Sequence, residues 1–265
     1  MKQLGQFLAA VPDLAEMEKA DGVSASSPAI RIYHNRNPKT DARLLLVMHA
    51  PSNAESDDRF TVSAKLPDGT YDFPMQLNGS DAKWLVAGVD LERQRLVYST
   101  SELQTILRQR GGDVALFYGR TGEAGETVLR YASGPSVRVL AGDVASSFDA
   151  ARGDLKLHYT HGALARVRIV GGGRPPLLLL IGDEAVGTSF WRRDAVLVRG
   201  PAMLRSARIA GDVLTLTGDT ADASDFEVWA ATDVKHLRWN GRRLSVDRTA
   251  SGSLIAHGAL PGPTP

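Results

Sequence analysis

Hydrolysis of a glycosidic bond needs two carboxylates, and this chain of 265 residues carries 30 acidic side chains. The chemistry asks for a proton donor with a raised pKa and a second carboxylate about 5–9 Å away. By type and proximity the candidates are Glu123 with Glu126, Asp183 with Glu184, and Asp57 with Asp58. So many acids produce such pairs by chance, and exposed loop carboxylates are the plainer expectation for each. Glu123, Glu126, Asp183 and Glu184 are the catalytic candidates if the chain acts alone; otherwise no residue here is catalytic.

The remaining chemistry-bearing residues give weaker signals. His158 and His161 are three apart in LHYTHGA, where the local pattern is strand and turn. Residues three apart on a strand face opposite sides, and no HExxH accompanies them, so no metal is expected. They read as hydrogen-bonded residues at a strand end. GGGRPP, from Gly171, lacks the Lys-Ser/Thr of a phosphate loop and reads as a turn between strands. No GxSxG is present, and Ser189 has no base nearby in sequence. Four tryptophans, Trp84, Trp191, Trp229 and Trp239, are too few for a visible sugar-stacking platform. Trp229 reads as core and Trp191 as an interface residue. If the chain binds carbohydrate without catalysis, Trp191, Tyr98 and Tyr118 are its expected contacts. No cofactor is expected.

The elements that must position these residues are strands. From residue 29 onward, runs of four to eight residues alternate Val, Ile, Leu and aromatics with polar side chains, as in RLLLVMHA, DVALFYG and ARVRIVG. Gly, Pro, Asn and Asp punctuate the gaps. Asp68-Gly69, Gly211-Asp212 and Asn240-Gly241 are hairpin signals. Residues 101–109 fit either a strand or a helical turn. Near the start, Leu4, Phe7, Leu8, Val11 and Leu14 follow helical spacing that Pro12 must kink or end. We therefore expect an all-β chain with a short N-terminal helix. A helix and linker occupy 1–23, a large antiparallel multi-stranded β domain 24–193, and a small Greek-key-like β-sandwich 194–265. The closing PGPTP reads as turn and linker.

Composition narrows the classes further. The hydrophobic share of 43% suffices for a packed core, and 31 basic residues balance the acids to a net charge of +1. No basic stripe is interleaved with aromatics, so nucleic-acid binding is not expected. The longest apolar run, residues 175–181, is too short to span a bilayer, and no membrane association is expected. With no cysteines, disulfides and thiolate metal sites are excluded. The N-terminus carries acids and makes a poor signal peptide, which leaves localisation open.

Taken in order, these segments resemble the β-rich region that follows the catalytic barrel of glycoside hydrolase family 35 β-galactosidases, the long fungal and bacterial kind. LGQFLAAVPDL is similar to the last barrel helix and its exit, and LLLVMHAPSNAESDDRFTVSAKLP to the paired strands opening the second domain. PMQLNGSDAK, from Pro74, occupies the place of that family's Leu-Asn-Gly-acid-basic turn. YSTSE from Tyr98, VALFYG from Val114 and the acidic loop with Glu123 and Glu126 follow in register. LLIGDEA from Leu179 resembles the end of the second domain. Residues 204–218 and 237–241 resemble hairpins of the third.

In that family both catalytic glutamates lie on barrel strands, at the carboxyl end where barrel enzymes build their sites. The resemblance therefore implies a non-catalytic β region, separated from its barrel, which packs against a catalytic barrel domain or partner chain. It also implies a bacterial carbohydrate-metabolising parent, often secreted or periplasmic, with a galactoside or other carbohydrate as ligand. Two alternatives stand beside it: a stand-alone glycosidase using the loop carboxylates, and a carbohydrate-binding or assembly module.

Overall fold

The computed structural model describes residues 2–220 and 222–260; the PGPTP tail lies outside them. Four sheets account for the described strands. The middle layer of the larger unit is an eight-stranded sheet in the spatial order Glu18–Lys19, Ile30–Arg36, Arg43–His49, Ala82–Leu91, Gln94–Ser99, Ala124–Arg130, Asp154–Thr160, Val144–Asp149. A three-stranded sheet of Val23–Ala25, Asp58–Leu66 and Gly69–Leu77 covers one face. Its inward Val62, Phe73, Met75 and Leu77 meet Leu45, Val47, Leu85 and Val97. The opposite face packs on a five-stranded sheet through Val89, Leu96, Leu129 and Leu157 against Ile106, Phe117, Val167 and Leu179. Both faces of the middle layer are thus covered. This is why Ala82–Leu91 and Gln94–Ser99 are buried along most of their length instead of alternating.

The five-stranded sheet runs Ser136–Ala141, Ala165–Gly171, Arg174–Asp183, Gly112–Gly119, Glu102–Gln109. Its central pair, Gly112–Gly119 and Arg174–Asp183, is parallel, one of two parallel pairs in an otherwise antiparallel chain. The apolar run LLLLI serves two cores at once. Leu177, Leu179 and Ile181 face the middle layer. Leu178 and Leu180 face Phe190, Leu197 and Trp229 of the smaller unit. That unit is a second eight-stranded sheet, from Phe190–Arg193 to Leu254–Ala259, curled around Leu204, Leu216, Phe226, Val228 and Trp239.

Several sequence expectations are met. Residues Glu102–Gln109 form a strand. Gly69 takes φ +132° after the two-residue loop Pro67-Asp68, and Asn240-Gly241 takes φ +47° and +83°, the paired positive values of a tight hairpin turn. The Gly171–Gly173 segment is a turn joining two antiparallel strands.

The helix Lys2–Ala10 ends before Pro12, which opens a 3-10 turn, Pro12–Glu16. Its buried arc differs from the apolar stripe expected. Gln6, Phe7, Ala10 and Val11 are buried, whereas Leu4 and Leu8 are exposed, Leu8 by 52%. Gln6 accepts a hydrogen bond from Gln104 Nε2 at 2.8 Å, and this polar anchor turns the helix away from a purely apolar docking.

Candidate functional site

Glu123, Glu126, Tyr98, His158 and His161 gather at one end of the middle layer, where Gln94–Ser99, Ala124–Arg130 and Asp154–Thr160 finish or begin. Glu123 and Glu126 are not exposed loop carboxylates. Glu126 lies within strand Ala124–Arg130, and both side chains are buried, Glu123 to 1% exposure. Each carboxylate has charged or hydrogen-bonding partners far away in sequence, which makes burial tolerable. Glu123 binds Lys83 Nζ and accepts from Asn78 Nδ2 at 2.6 Å. Glu126 accepts from the Tyr98 hydroxyl and stands 3.2 Å from His158 Nδ1. The two acids have separate partner sets and share none.

Glu126 and His158 line an open cleft of about 380 Å³ whose walls include Phe60, Pro74 and Met75. His158 is exposed there, whereas His161 is sealed inside at 2% exposure, so the two rings do face opposite ways. No group of three potential metal ligands occurs among the described residues.

His161 belongs to a hydrogen-bond chain that local sequence reading missed. Its Nδ1 lies 2.9 Å from the Glu123 carbonyl, which can only accept, so Nδ1 carries the proton. In the neutral ring Nε2 must then accept from Ser101 Oγ at 2.8 Å. Ser101 in turn accepts from the Tyr159 hydroxyl at 2.8 Å, and Tyr159 accepts from Thr127 Oγ1 at 2.6 Å. Gly125 is required beside this chain, because a Cβ there would sit 2.3 Å from the Tyr159 ring. Ser101 and His161 have the atoms of a nucleophile and base. Both are buried, and the ring's second nitrogen is held by a main-chain carbonyl instead of a carboxylate. The couple is structural.

Burial drops the His161 pKa to about 4, with Lys83 adding repulsion and the Glu123 carbonyl opposing. A depressed histidine destabilises the fold in acid. Between the folded value near 4 and the unfolded value of 6.5 the unfolded chain holds the extra proton, so stability falls as pH drops through that window. The difference corresponds to about 2–3 kcal/mol by pH 4.5. Urea midpoints at pH 7 and 4.5 should therefore converge for His161→Asn relative to the parent. Equal pH slopes in the two proteins would refute the assignment.

Asp183 and Glu184 do not form a pair. Asp183 caps the short helix Glu184–Thr188 by accepting from Val186 N at 2.9 Å and also accepts from Thr121 Oγ1 at 2.9 Å; Glu184 is exposed. Asp58 accepts from Ser56 Oγ, and Asp57 accepts from Gly79 N at 3.0 Å. Ser189 donates to the Val186 carbonyl at 2.6 Å.

Among the expected carbohydrate contacts, Tyr98 is ruled out as a surface residue. It is buried, stacks on Phe73 with ring centroids 4.6 Å apart, and burial and Glu126 push its pKa up. Trp191 is half-buried, donates from Nε1 to the Pro201 carbonyl at 2.9 Å and packs on the smaller unit's core. Tyr118 is half-buried beside Glu102. Glu102 itself escaped notice in the sequence, where it reads as one more strand acid. Burial raises its pKa to about 7, offset in part by the Trp84 N–H, which donates to it at 3.2 Å. Asp81 nearby is also raised by burial, with Lys83 opposing, and Trp84 is 40% exposed.

Geometry thus defines a class: an all-β chain of two joined units whose sequence-prominent carboxylates brace strands or cap a helix. A family model described as β-galactosidase, domain 2, matches residues 14–190, and the chain belongs to that family. A second model, β-galactosidase, domain 3, matches residues 181–255. The probable β-galactosidase B of Aspergillus terreus is 28% identical over 98% of this chain and 27% of its own length. That of Penicillium rubens is 27% identical over 99% of this chain and 27% of its own, and that of Emericella nidulans 29% over 85% and 23%. The chain therefore spans about a quarter of the length of these curated relatives. They are fungal and give the expected bacterial parentage no support. Among solved structures, an endo-fucoidan hydrolase from glycoside hydrolase family 107 aligns with 90% of this chain and 34% of its own at 13% identity, but a TM-score of 0.21 carries no argument.

Proposed function

We propose that this chain is the non-catalytic β region of a β-galactosidase-like glycoside hydrolase, packing against a catalytic barrel domain or partner chain and positioning its neighbours. The observation that carries the reading is the state of the candidate acids. Glu123 is sealed against Lys83, Glu126 is held by Tyr98 beside His158, and Asp183 is a helix cap. A retaining or inverting hydrolase needs two carboxylates facing one open cleft, and none of the sequence pairs does so. The exposed Leu4 and Leu8 beside a buried Phe7 supply apolar surface for packing. We keep 1–23, 24–193 and 194–265 as the units of this reading, supported by separate cores, although Phe190–Arg193 already pairs with the later sheet. A galactoside is the substrate class of the whole protein under the same reading.

A second reading has one observation in its favour. Glu102, with its pKa near 7 and Asp81 and Glu184 close enough to raise or perturb it, has the character of a general acid. The two readings separate in one assay. Purified chain incubated with 4-nitrophenyl β-galactoside is expected to show no hydrolysis above the blank. Activity that co-purifies with the chain and disappears in Glu102→Gln would replace the first reading with the second. The same amide substitution at Glu123, Glu126, Asp183 and Glu184 tests the remaining acids.

A further inference from the structure

The junction of the two units holds a cleft of about 410 Å³. The larger unit contributes Arg110, from the turn between Glu102–Gln109 and Gly112–Gly119, and Arg168, from Ala165–Gly171. The smaller unit contributes Arg248, Thr232 and Ser251. Clefts between packed units are favoured places for small ligands.

The charges in this cleft are unequally satisfied. Its carboxylates both have partners: Asp113 is buried and binds Arg93 and Gln94, and Asp233 accepts from Arg248 Nη2 at 2.9 Å. Arg248 also donates to the Val234 carbonyl at 3.2 Å. Among the described residues neither Arg110 nor Arg168 has an ion-pair or hydrogen-bond partner. Arg168 is moreover paired across the sheet with Arg138, likewise without a partner, so two arginines stand opposite each other on one face of the ladder. Like charges directly opposite on a ladder destabilise it. The neighbouring Arg166, on the same face, shows the alternative, since it is bound in a two-bond fork by Glu227 of the smaller unit.

We propose that this cleft binds a small oxyanion, a carboxylate, sulfate or phosphate group, through Arg110 and Arg168. A planar guanidinium presents paired N–H donors that match such groups, and the cleft is lined by two of them, one from a turn and one from a strand. Both arginines belong to the larger unit, and the smaller unit closes the cleft with Thr232 and Ser251, side chains able to donate to an occupant. The inference is independent of whether the chain hydrolyses anything.

Calorimetric titration of the full chain distinguishes the sources of the anion. The probes are sodium phosphate, sodium sulfate and galacturonate, with galactose and sodium chloride of equal ionic strength as controls. Saturable binding of at least one oxyanion, with neither control reproducing it, is the expected result. Arg110→Gln and Arg168→Gln should each weaken it about ten- to a hundredfold, the worth of one charge-assisted hydrogen bond. The unliganded melting temperature of Arg168→Gln should match or exceed that of the parent, because the opposed Arg138 loses its repulsive neighbour. No saturable binding, a response that follows ionic strength alone, or unchanged affinity in both well-folded variants would overturn the proposal.

Discussion

Lys83→Met should lower the unfolding free energy by about 3–5 kcal/mol, the usual loss when one member of a buried ion pair is removed. The Lys83 side chain is 6% exposed and that of Glu123 1%, so water cannot replace the missing ammonium. Asn78 Nδ2 still donates to the carboxylate, which moderates the penalty without cancelling the charge. The double variant Lys83→Met, Glu123→Leu should recover most of the loss, since an apolar pair of similar volume leaves no buried charge behind. A double-mutant cycle from urea melts at pH 7 measures the coupling. A single-variant loss below about 1 kcal/mol would mean that the pair is hydrated in solution.

Trp229→Ala is expected to weaken the contact between the two units and not only the smaller one. The indole is 1% exposed and packs with Phe190, ring centroids 5.7 Å apart, against Leu178 and Leu180 of the larger unit. Truncating a buried tryptophan costs about 3–5 kcal/mol. Here the cavity opens at the junction, so calorimetry should resolve two transitions where the parent shows one. Trp239→Ala, whose cavity lies within the smaller unit's own core beside Phe226, serves as the comparison. With the junction intact, it should lower the single shared transition without splitting it. A single sharp transition in Trp229→Ala would refute the dependence of the junction on this indole.

The strands were legible because their burial is written into short-range alternation. Arg43–His49, with every second residue buried, is the clear case. The turns were legible because Asn240-Gly241 and Gly69 carry their positive φ in residue type. The candidate site was legible only in part. Its acids could be named, but whether an acid is exposed or sealed depends on partners distant in sequence. Lys83 is 40 residues from Glu123, and Tyr98 is 28 from Glu126. Nothing local announces either pairing. Glu102 is illegible for the same reason: its raised pKa comes from tertiary burial, which the strand pattern cannot report. Tyr98 differs in the other direction: expected as a carbohydrate contact, it is packed against Phe73 and Tyr71, which come from a strand distant in sequence. The resemblance across the ordered segments was more informative than any single residue, because the collinear sequence of turns records topology that one pair of acids does not.

The parallel pairing of Gly112–Gly119 with Arg174–Asp183 has a consequence for how the polypeptide is made. As synthesis proceeds, Gly112–Gly119 emerges with one edge joined to its hairpin partner and the other open. That open edge carries Val114, Ala115, Leu116 and Phe117. The strand that closes it arrives some sixty residues later, and a nascent chain in that interval presents an apolar ribbon able to recruit a copy of itself. Completion of Arg174–Asp183 therefore closes that edge, while its Leu178 and Leu180 await Phe190, Leu197 and Trp229 from the chain still to come.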